Sequence, residues 1–397
     1  MIYFDTSATS PLLPEARDAM LDLMNLSVKG ELGNASSLHS AGIYAKEELI
    51  KARVEIAMLV GVSPLELIFT SSGSESNNTI IQTFKDCPII ISSIEHPSVL
   101  KPAEEYGNPC IKIPVNKSGI IDLTILRSEI KRLTSNNSKQ KILVSVMLAN
   151  NETGTIEPIH EIASVIEEFK DQGYHNIYLH TDATQAIGKI PVNAKKLKVD
   201  YMTFTAHKIG GPIGIAALYS RSGAPYKPLI LGGAQEDKRR AGTSNVILAA
   251  GFAVAARYCA QNQTSKKYQN IGKLRNYLVK ELTKKIPTAK IITPLGPGQA
   301  LPHILNVAFP AAEGESTQLY LDLDKIEVST GSACASGDLE PSHVLMAMYH
   351  DAEVAHGSIR FSLPLGATKK QVDALIDKLP GIVSKIQDIS TLKKEKI

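Results

Sequence analysis

Two side chains near the middle of the chain have the types and setting that covalent coenzyme chemistry requires. Asp182 lies in the segment 179–185 at the end of one short apolar strand, and Lys208 lies in the segment 203–208 at the end of another. A lysine that is partly desolvated and lies near other cations loses its proton more easily and can attack an aldehyde. A carboxylate at Asp182 can hold a ring nitrogen in its charged form, although by itself the residue could equally cap the following helix.

A third feature could bind an anion. Residues 70–78 read Thr-Ser-Ser-Gly-Ser-Glu-Ser-Asn-Asn after an apolar run, which predicts a strand, a turn of small residues and a helix. Backbone N–H groups at a helix N-terminus bind anions, and Gly73 would allow a close approach. An ordinary serine N-cap with a glycine turn is the alternative. A phosphate site, an acid for a ring nitrogen and an amine for an aldehyde together suit pyridoxal phosphate.

A fourth feature is Cys334, which small residues surround over 329–337. A thiol in an accessible loop can react, whereas a structural cysteine has apolar neighbours, as Cys259 does in the sequence. The segment of about 329–341 is therefore a candidate catalytic loop. The alternative is that Cys334 is only a small residue in a tight turn.

The elements that must position these residues alternate between helix and strand from about residue 50 to residue 220. Residues 45–60 and 159–169 carry apolar side chains at helical spacing. Short apolar runs, which predict strands, lie at 66–70, 88–92, 142–146, 177–180, 201–204 and 214–218. Such strands alternating with helices predict an α/β fold with a mostly parallel sheet covered on both faces.

Polar residues follow these predicted strands repeatedly. They lie at 71–74, 95–96, 150–152, 182–185 and 206–208. In open parallel sheets, ligands bind outside the carboxyl ends of the strands. The sequence therefore predicts one site at this edge of the sheet, with the candidate residues gathered around it.

The last third of the chain predicts a second, smaller α/β domain. After a polar joint at 261–267 come a helix ending near Lys285, a Gly/Pro-rich loop at 294–302, strands at 304–309 and 326–329 with a helix between them, and a closing helix from Lys369. We expect a large coenzyme-binding domain over 15–260. Residues 1–14 and 261–397 would form the small domain, which carries the cysteine loop.

Composition excludes several classes of protein. Of 397 residues, 43% are hydrophobic and 21% are charged, and 43 basic against 40 acidic residues give a formal net charge of +3. These values exclude disordered, collagen-like and disulfide-scaffold classes, and without long basic runs no nucleic-acid binding is expected. The apolar runs are too short for a membrane span, and the first residues do not resemble a signal peptide. Four cysteines without a CxxC pair fit a reducing, cytoplasmic setting. The histidines lack metal-ligand spacing, so no metal site is expected.

Several segments together resemble the cysteine desulfurases, which are class V, fold-type I pyridoxal phosphate enzymes with a mostly parallel seven-stranded sheet in the large domain. They read Gly33-Asn34-Ala35-Ser36-Ser37-Leu38-His39, Asn150-Asn151-Glu152-Thr153-Gly154, His180-Thr181-Asp182-Ala183-Thr184-Gln185, Ala206-His207-Lys208 and Gly331-Ser332-Ala333-Cys334. The resemblance extends in order from Tyr3 to about Pro380. The segment 329–345 resembles the group that serves iron–sulfur assembly. The opening 5–9 departs from the family pattern, which leaves the N-terminal substrate contacts open.

The resemblance implies coenzyme contacts for most of the candidate residues. Lys208 would bind the coenzyme covalently and transfer protons. Asp182 would pair with the ring nitrogen and Gln185 with the phenolic oxygen. His96 would stack on the ring and take part in catalysis. The phosphate would be bound by Gly73, Ser74, Thr205, His207 and, from the other subunit of a homodimer, Thr243.

The resemblance also implies how a substrate is bound. Arg360 would bind the substrate carboxylate, because its guanidinium can donate two parallel hydrogen bonds to such a group. Asn34 and Asn151 would assist, and Asn151 would contact the coenzyme as well. Cys334 would attack the substrate sulfur.

The implied activity is that of a pyridoxal phosphate-dependent cysteine desulfurase, which converts L-cysteine to L-alanine and leaves a persulfide on Cys334. The sulfur would pass to an iron–sulfur scaffold or another acceptor protein, with transient cluster ligation through Cys334. The alternatives are a selenocysteine lyase or an aminotransferase on the same fold, or a non-catalytic sulfur-delivery platform. An aminotransferase has no need of Cys334, and a platform has no use for Lys208, Cys334 and Arg360 together.

Overall fold

Helices and strands alternate along most of the computed structural model, which describes residues 1–136, 139–262, 265–330 and 341–390. The helices are α1 Pro14–Val28, α2 Ser40–Val60, α3 Gly73–Thr83, α4 Pro97–Tyr106, α5 Leu123–Asn136, α6 Ile159–Asp171, α7 Ala194–Leu197, α8 Val246–Asn262, α9 Lys266–Lys285, α10 Gly314–Leu323, α11 His343–Tyr349, α12 Ala352–His356 and α13 Lys369–Ile389. The strands are β1 Ile2–Tyr3, β2 Leu67–Thr70, β3 Ile89–Ser92, β4 Cys110–Ile113, β5 Ile142–Ser145, β6 Ile177–Asp182, β7 Tyr201–Thr205, β8 Ala216–Ser220, β9 Lys290–Ile291, β10 Ile304–Ala308, β11 Ile326–Glu327 and β12 Ser358–Ser362.

A seven-stranded sheet in the order β2-β8-β7-β6-β5-β3-β4 forms the centre of the molecule. Five strands from β4 to β7 pair in parallel, and β8 runs antiparallel to both β7 and β2. Every residue of β2, β3, β5, β7 and β8 is buried, as expected for strands covered by helices on both faces. The predicted α/β fold with a mostly parallel sheet is therefore confirmed.

The carboxyl ends of β2, β3, β5, β6 and β7 lie at the same edge of this sheet, because β2 is antiparallel to β8 and β8 is antiparallel to β7. The turn into α3 follows β2, and α4 begins shortly after β3. Asp182 is the last residue of β6, and Lys208 lies in the 3₁₀ turn His207–Ile209 that follows β7. The topology thus brings these predicted site residues to one edge.

The amino terminus packs against the last part of the chain. β1 pairs in parallel with β11, and the amide of Ser362 in β12 donates to the carbonyl of Phe4 at 2.7 Å. Phe4 is buried in a hydrophobic cluster with residues of α9, α10, α13, β10 and β12. The division into domains at 14 and 260 stays a prediction, which these contacts favour.

The structure also shows where sequence patterns were incomplete. β4 was not predicted, because Lys112 interrupts its short apolar run and the strand lies half-buried at the edge of the sheet. The run predicted at 214–218 begins as a strand only at Ala216, since Gly214 has a left-handed φ of 90°. β6 extends two residues beyond the predicted run, to Asp182, because Thr181 and Asp182 continue the ladder with β7.

Within the described ranges, no helix has the length and apolar character needed to cross a bilayer. The same residues contain no group of three or more side chains suited to bind a metal ion.

Candidate active site

A small cradle, formed by Gly73, Thr184 and Thr205, lies where α3 begins beside the ends of β6 and β7. A Cβ atom added to Gly73 would lie 3.0 Å from Thr205 Cγ2 and 3.6 Å from Thr184 Oγ1. Thr184 Oγ1 and Thr205 Oγ1 are both buried without a hydrogen-bond partner among the described residues. Because buried hydroxyls normally have partners, two such donors at a helix N-terminus fit an anionic acceptor such as phosphate. The cap predicted as an alternative is also present, since Ser72 Oγ accepts from the amide of Glu75 at 3.1 Å.

The carboxylate of Asp182 is held at the end of β6 by two donors. Its Oδ1 accepts from the amide of Thr184 at 2.9 Å, and its Oδ2 accepts from Asn77 Nδ2 at 2.8 Å. Asn77 lies on α3, so the helix that forms the cradle also orients this carboxylate. A buried, oriented carboxylate favours the protonated form of a nearby ring nitrogen.

His96 is connected to Asp182 through a short polar chain. Asn77 Nδ2 lies 2.9 Å from Ser98 Oγ, which lies 2.8 Å from His96 Nδ1. His96 also caps α4, because its Nδ1 accepts from the amide of Ser98 at 3.1 Å. Burial lowers the pKa of His96, the charge of Asp182 raises it, and the charge of Lys208 lowers it. The three side chains are therefore close enough to interact electrostatically.

The amine of Lys208 contacts the amino-terminal segment. Its Nζ lies 2.5 Å from the carbonyl oxygen of Ser7 and 2.7 Å from that of Ala8. Gln185 Nε2 donates to the same Ser7 carbonyl at 3.0 Å. Ser10 Oγ donates to the backbone carbonyl of Lys208 at 2.8 Å. Residues 7–10 thus hold the amine and Gln185 together.

Two further histidines lie beside these groups. His207 Nδ1 is 3.2 Å from Thr9 Oγ1, and burial together with the charge of Lys208 lowers the pKa of His207 to about 4. His180 is fully buried between Ser145 Oγ and Thr203 Oγ1, and burial lowers its pKa to about 4. Both imidazoles are neutral at neutral pH and act there as hydrogen-bonding groups.

Arg360, in the middle of β12, contacts both the segment that follows β5 and the amino-terminal segment. Its guanidinium donates to the backbone carbonyl of Asn151 at 3.0 Å and to Asp5 Oδ1 at 2.8 Å. The side chain is only 3% exposed, and its Nε has no partner among the described residues. A buried guanidinium with an unused donor can bind a carboxylate.

Both described ends of the cysteine segment lie beside Arg360. Ser329 and Arg360 exchange backbone hydrogen bonds of 3.3 and 2.7 Å. On the other side, Ser342 Oγ donates to Glu152 Oε2 at 2.5 Å, and the charge of Arg360 acts on Glu152. Cys334 itself belongs to residues 331–340, which lie outside the described residues.

The remaining predicted site residues are Ser74, Asn151, Asn34 and Thr243. Ser74 and His96 line one open depression beside α4. Asn151 contacts Arg360 through its carbonyl. Asn34 is exposed, and its Oδ1 accepts from the nearby amide of Ser36 at 2.9 Å. Thr243 is also exposed and lines a separate pocket with Arg240 and Ser71. Within one chain, the structure therefore does not bring Asn34 and Thr243 to the cradle.

Comparison with known proteins decides the family. The chain matches the family model described as Aminotransferase class-V over residues 2–375. It is 41% identical over 403 residues to the cysteine desulfurase IscS of Dictyoglomus turgidum, with 99% of this chain and 97% of that protein covered. The chain belongs to the cysteine desulfurases of the aminotransferase class-V family. A cysteine desulfurase IscS of Methanosarcina thermophila is 40% identical over 98% of this chain and 94% of its own.

Solved structures agree with this assignment. A NifS-like protein from Rickettsia africae superimposes with a TM-score of 0.85 at 34% identity and covers 98% of this chain and all of its own. A second structure titled NifS-like protein also has a TM-score of 0.85, at 35% identity over 97% of this chain and 99% of its own. The resemblance inferred from the motifs is confirmed, and with it the fold-type and the cofactor class.

The site of this cysteine desulfurase fits pyridoxal phosphate, on which the family depends. The two unpartnered hydroxyls of the cradle suit the phosphate, Asp182 suits the ring nitrogen, and Lys208 supplies the amine. The role of each individual residue stays a prediction.

The cradle yields a first test. Replacing Thr205 by valine should weaken the affinity of the apoenzyme for pyridoxal phosphate about tenfold to a hundredfold, because a hydrogen bond to a charged group contributes roughly 1.5–3 kcal/mol. Titration of the apoenzyme with the coenzyme measures this affinity. Thr181→Val is the matched control, since Thr181 Oγ1 is also buried without a partner among the described residues but is not in the cradle. Equal losses in the two variants would contradict the assignment.

The segment that follows β5 carries two buried carboxyl groups. Burial raises the pKa of Glu152 to about 7 and that of Glu157 to about 8. Glu157 Oε2 accepts from the amide of Ile121 at 3.0 Å, whereas its Oε1 has no partner among the described residues. An acid whose pKa is higher in the folded protein binds more protons when folded. These two groups therefore lower stability as pH rises from about 4.5, their value when exposed, to about 8.

Glu157→Gln should consequently stabilise the protein at alkaline pH. Glutamine keeps an oxygen acceptor for the Ile121 amide and never ionises, so the gain in free energy of unfolding should exceed about 1 kcal/mol near pH 9 and nearly vanish near pH 5. Denaturant unfolding at the two pH values measures it. Glu161→Gln, at an exposed position of α6, should change stability equally little at both. A pH-independent effect of Glu157→Gln would overturn this interpretation.

Several contributors to the site are not among the residues predicted from the sequence. Asn77 orients Asp182, Ser7 joins Lys208 to Gln185, and Glu152 holds Ser342. Asn77 lies in the motif 70–78 and Glu152 in the motif 150–154, so their position in these motifs is the signal that could have found them. Ser7 contacts Lys208 and Gln185 through its backbone carbonyl, which no residue pattern identifies.

Proposed function

We propose that the protein desulfurates L-cysteine to L-alanine, with Cys334 as the sulfur acceptor and Lys208 as the covalent anchor of the coenzyme. The observation that carries this proposal is the convergence at one edge of the sheet of a phosphate cradle, an oriented carboxylate and a lysine amine. Arg360, beside the ends of the cysteine segment, supports an amino acid as the substrate class.

Arg360 would bind the substrate carboxylate through its unused Nε and one terminal Nη of the same guanidinium. The guanidinium is already fixed by the Asn151 carbonyl and by Asp5, so the donor is oriented before substrate arrives. Asn34 and the Asn151 side chain would assist. Because Arg360 is nearly fully buried, its hydrogen bonds to a carboxylate are strengthened by the low local polarity.

Bound pyridoxal phosphate supplies an electron sink that stabilises negative charge on the carbon next to the substrate nitrogen. Gly73, Ser74, Thr205 and His207 would hold its phosphate. Asp182 would keep a proton on the ring nitrogen, and Gln185 would donate to the phenolic oxygen.

Lys208 and His96 would move the protons. Lys208 Nζ would take the proton from the substrate α-carbon and return one to the product. His96 would stack on the ring, where its lowered pKa keeps it neutral and able to accept a proton.

Sulfur transfer would occur at Cys334. The thiolate attacks the substrate sulfur, the S–S bond forms as the carbon–sulfur bond breaks, and the electron pair of the broken bond stays with carbon, which takes up a proton. One cysteine and one thiol thus give one alanine and one persulfide, with no external oxidant. Cys334 follows Thr330 by four residues, and four residues of extended chain span at most roughly 14 Å, which limits how far the thiol can lie from the end of the described segment.

The persulfide would pass to an iron–sulfur scaffold or another sulfur-acceptor protein, with transient cluster ligation through Cys334. We propose a homodimer, in which Thr243 of one chain reaches the phosphate bound by the other; the exposure of Thr243 supports this arrangement. We propose a cytoplasmic location, which the free thiols Cys87, Cys110 and Cys259 support.

The test is product formation by the holoenzyme in the presence of a thiol reductant. L-Cysteine should give alanine and sulfide in equal amounts, whereas L-serine should give neither alanine nor a ketoacid. Transfer of the amino group to a ketoacid, without sulfide, would instead identify an aminotransferase. Preference for L-selenocysteine by orders of magnitude would identify a selenium-specific lyase.

A further inference from the structure

A cavity separate from the candidate active site lies beside the turn that contains Lys208. It is bounded by the amino-terminal segment, α8 and the residues that follow β12. Its volume is about 220 Å³, and its wall includes Ser10, Lys189, Ile209, Tyr258, Cys259 and Leu365. Most of the wall is apolar or aromatic. None of the residues to which we assign a coenzyme or substrate contact lines it.

Lys189 is the cationic group in this wall. Burial lowers the pKa of its amine, and the thiol of Cys259 is close enough to act on it. Among the described residues, no carboxylate contributes to its electrostatic surroundings. A lysine amine in a half-open, largely apolar cavity without an acidic partner is suited to bind an anion, because a desolvated charge is stabilised chiefly by an opposite one.

His303 lies behind the same wall. It is 1% exposed, and neither of its ring nitrogens has a hydrogen-bond partner among the described residues. Its carbonyl accepts from the amide of Leu363 at 2.9 Å, directly before residues 364–366, which line the cavity. Burial lowers the pKa of His303, and the nearby positive charges of Lys189, Arg360 and Arg275 lower it further. Arg360 is paired with Asp5, but Lys189 and Arg275 form no ion pair in the described parts of the chain. Among the residues that the structure describes, three positive charges and no acidic group act on His303.

We propose that this cavity is a binding site for a small organic carboxylate, whose anionic group is held by Lys189 and whose apolar part packs against Ile209 and Leu365. The volume accommodates a compound of a few carbon atoms, and the mainly apolar wall favours a hydrocarbon chain over a bare inorganic anion. The proposal does not depend on the function proposed above, since it involves neither the coenzyme nor Cys334.

Such a ligand would contact the segments that hold Lys208. Ser10 lines the cavity and donates to the backbone carbonyl of Lys208. Ile209, which also lines the cavity, directly follows Lys208 in the chain. Thr6, which precedes the carbonyl that accepts from Lys208 Nζ, also lines the cavity. The bound carboxylate would therefore rigidify the segments on either side of the lysine and stabilise the folded protein.

Butyrate is the probe for the test, with butyramide as its neutral analogue. The melting temperature of the holoenzyme should rise saturably with butyrate at constant ionic strength and pH and should not rise with butyramide. Lys189→Met should weaken butyrate binding about tenfold or more, because one charge-assisted contact is lost. Lys195→Met, at an exposed position of α7, is the matched control and should leave the affinity unchanged.

A cavity-filling variant gives a second, independent result. Gly366 lines the cavity, and a Cβ atom added there meets no atom within 4 Å, so Gly366→Leu should fold normally. Its melting temperature without butyrate should match that of the unmodified protein, and its response to butyrate should be lost. Absence of saturable stabilisation by butyrate, an equal response to butyramide, or unchanged affinity in both Lys189→Met and Gly366→Leu would each overturn the proposal.

Discussion

Replacing Lys208 by alanine should remove the visible absorbance of the covalently bound coenzyme and reduce the rate of sulfide release by about a thousandfold or more. The amine is the group that we assign both to the covalent link and to proton transfer, so both properties should fail together. The absorbance spectrum of the purified variant and a sulfide assay with L-cysteine measure the two effects. Lys196→Ala, an exposed lysine on α7, is the control and should show neither change.

The fold should survive this substitution. The Lys208 amine contacts the carbonyls of Ser7 and Ala8, but the backbone of the turn is also held by Ser10. The alanine variant should therefore still bind pyridoxal phosphate reversibly through the cradle and Asp182. A variant that retains both the absorbance and the turnover of the unmodified enzyme would refute the role of Lys208.

Cys334→Ser should abolish sulfide release while leaving coenzyme binding intact. A serine hydroxyl is far less nucleophilic towards sulfur than a thiolate, so we expect a loss of about a thousandfold or more in turnover. Since the cradle, Asp182 and Lys208 are unchanged, the visible spectrum of the resting enzyme should be unaltered. Cys110→Ser, at a half-buried thiol in β4, is the matched control and should retain full turnover.

The Cys334→Ser variant also distinguishes a chemical role of the thiol from a structural one. If Cys334→Ser released sulfide and alanine at the normal rate, the thiol would not be the sulfur acceptor. If it lost the coenzyme as well as turnover, Cys334 would have a structural role in the site rather than a chemical one.

Much of the architecture follows from local patterns. The buried strands are short apolar runs, and they alternate with helices of regular spacing, so the mostly parallel sheet could be predicted from the chain alone. The strand ends then place Asp182 and Lys208 at one edge, because parallel strands share a direction. This part of the site required no knowledge of distant contacts.

The rest depends on contacts between residues far apart in sequence. The bond from Asn77 to Asp182, the pair of Arg360 with Asp5, and the pairing of β1 with β11 each join separate segments. Such contacts are set by how the elements pack, and a single sequence does not specify them.

Burial, too, changes what a residue type predicts. Glu152 and Glu157 look like ordinary acids in the sequence, yet desolvation raises the pKa of both towards or above neutrality. The unpartnered hydroxyls of Thr184 and Thr205 likewise become informative only once they are known to be buried. Threonine in a sequence has no such meaning.

The central claim is that an amine at Lys208 and a thiol at Cys334 act on the same substrate molecule. Mixing the holoenzyme with one equivalent of L-cysteine, without reductant, tests it most directly. We predict one equivalent of alanine and a mass increase of one sulfur atom on the peptide that contains Cys334. Alanine without any added sulfur on Cys334, or sulfur found on Cys87, Cys110 or Cys259 instead, would contradict the account.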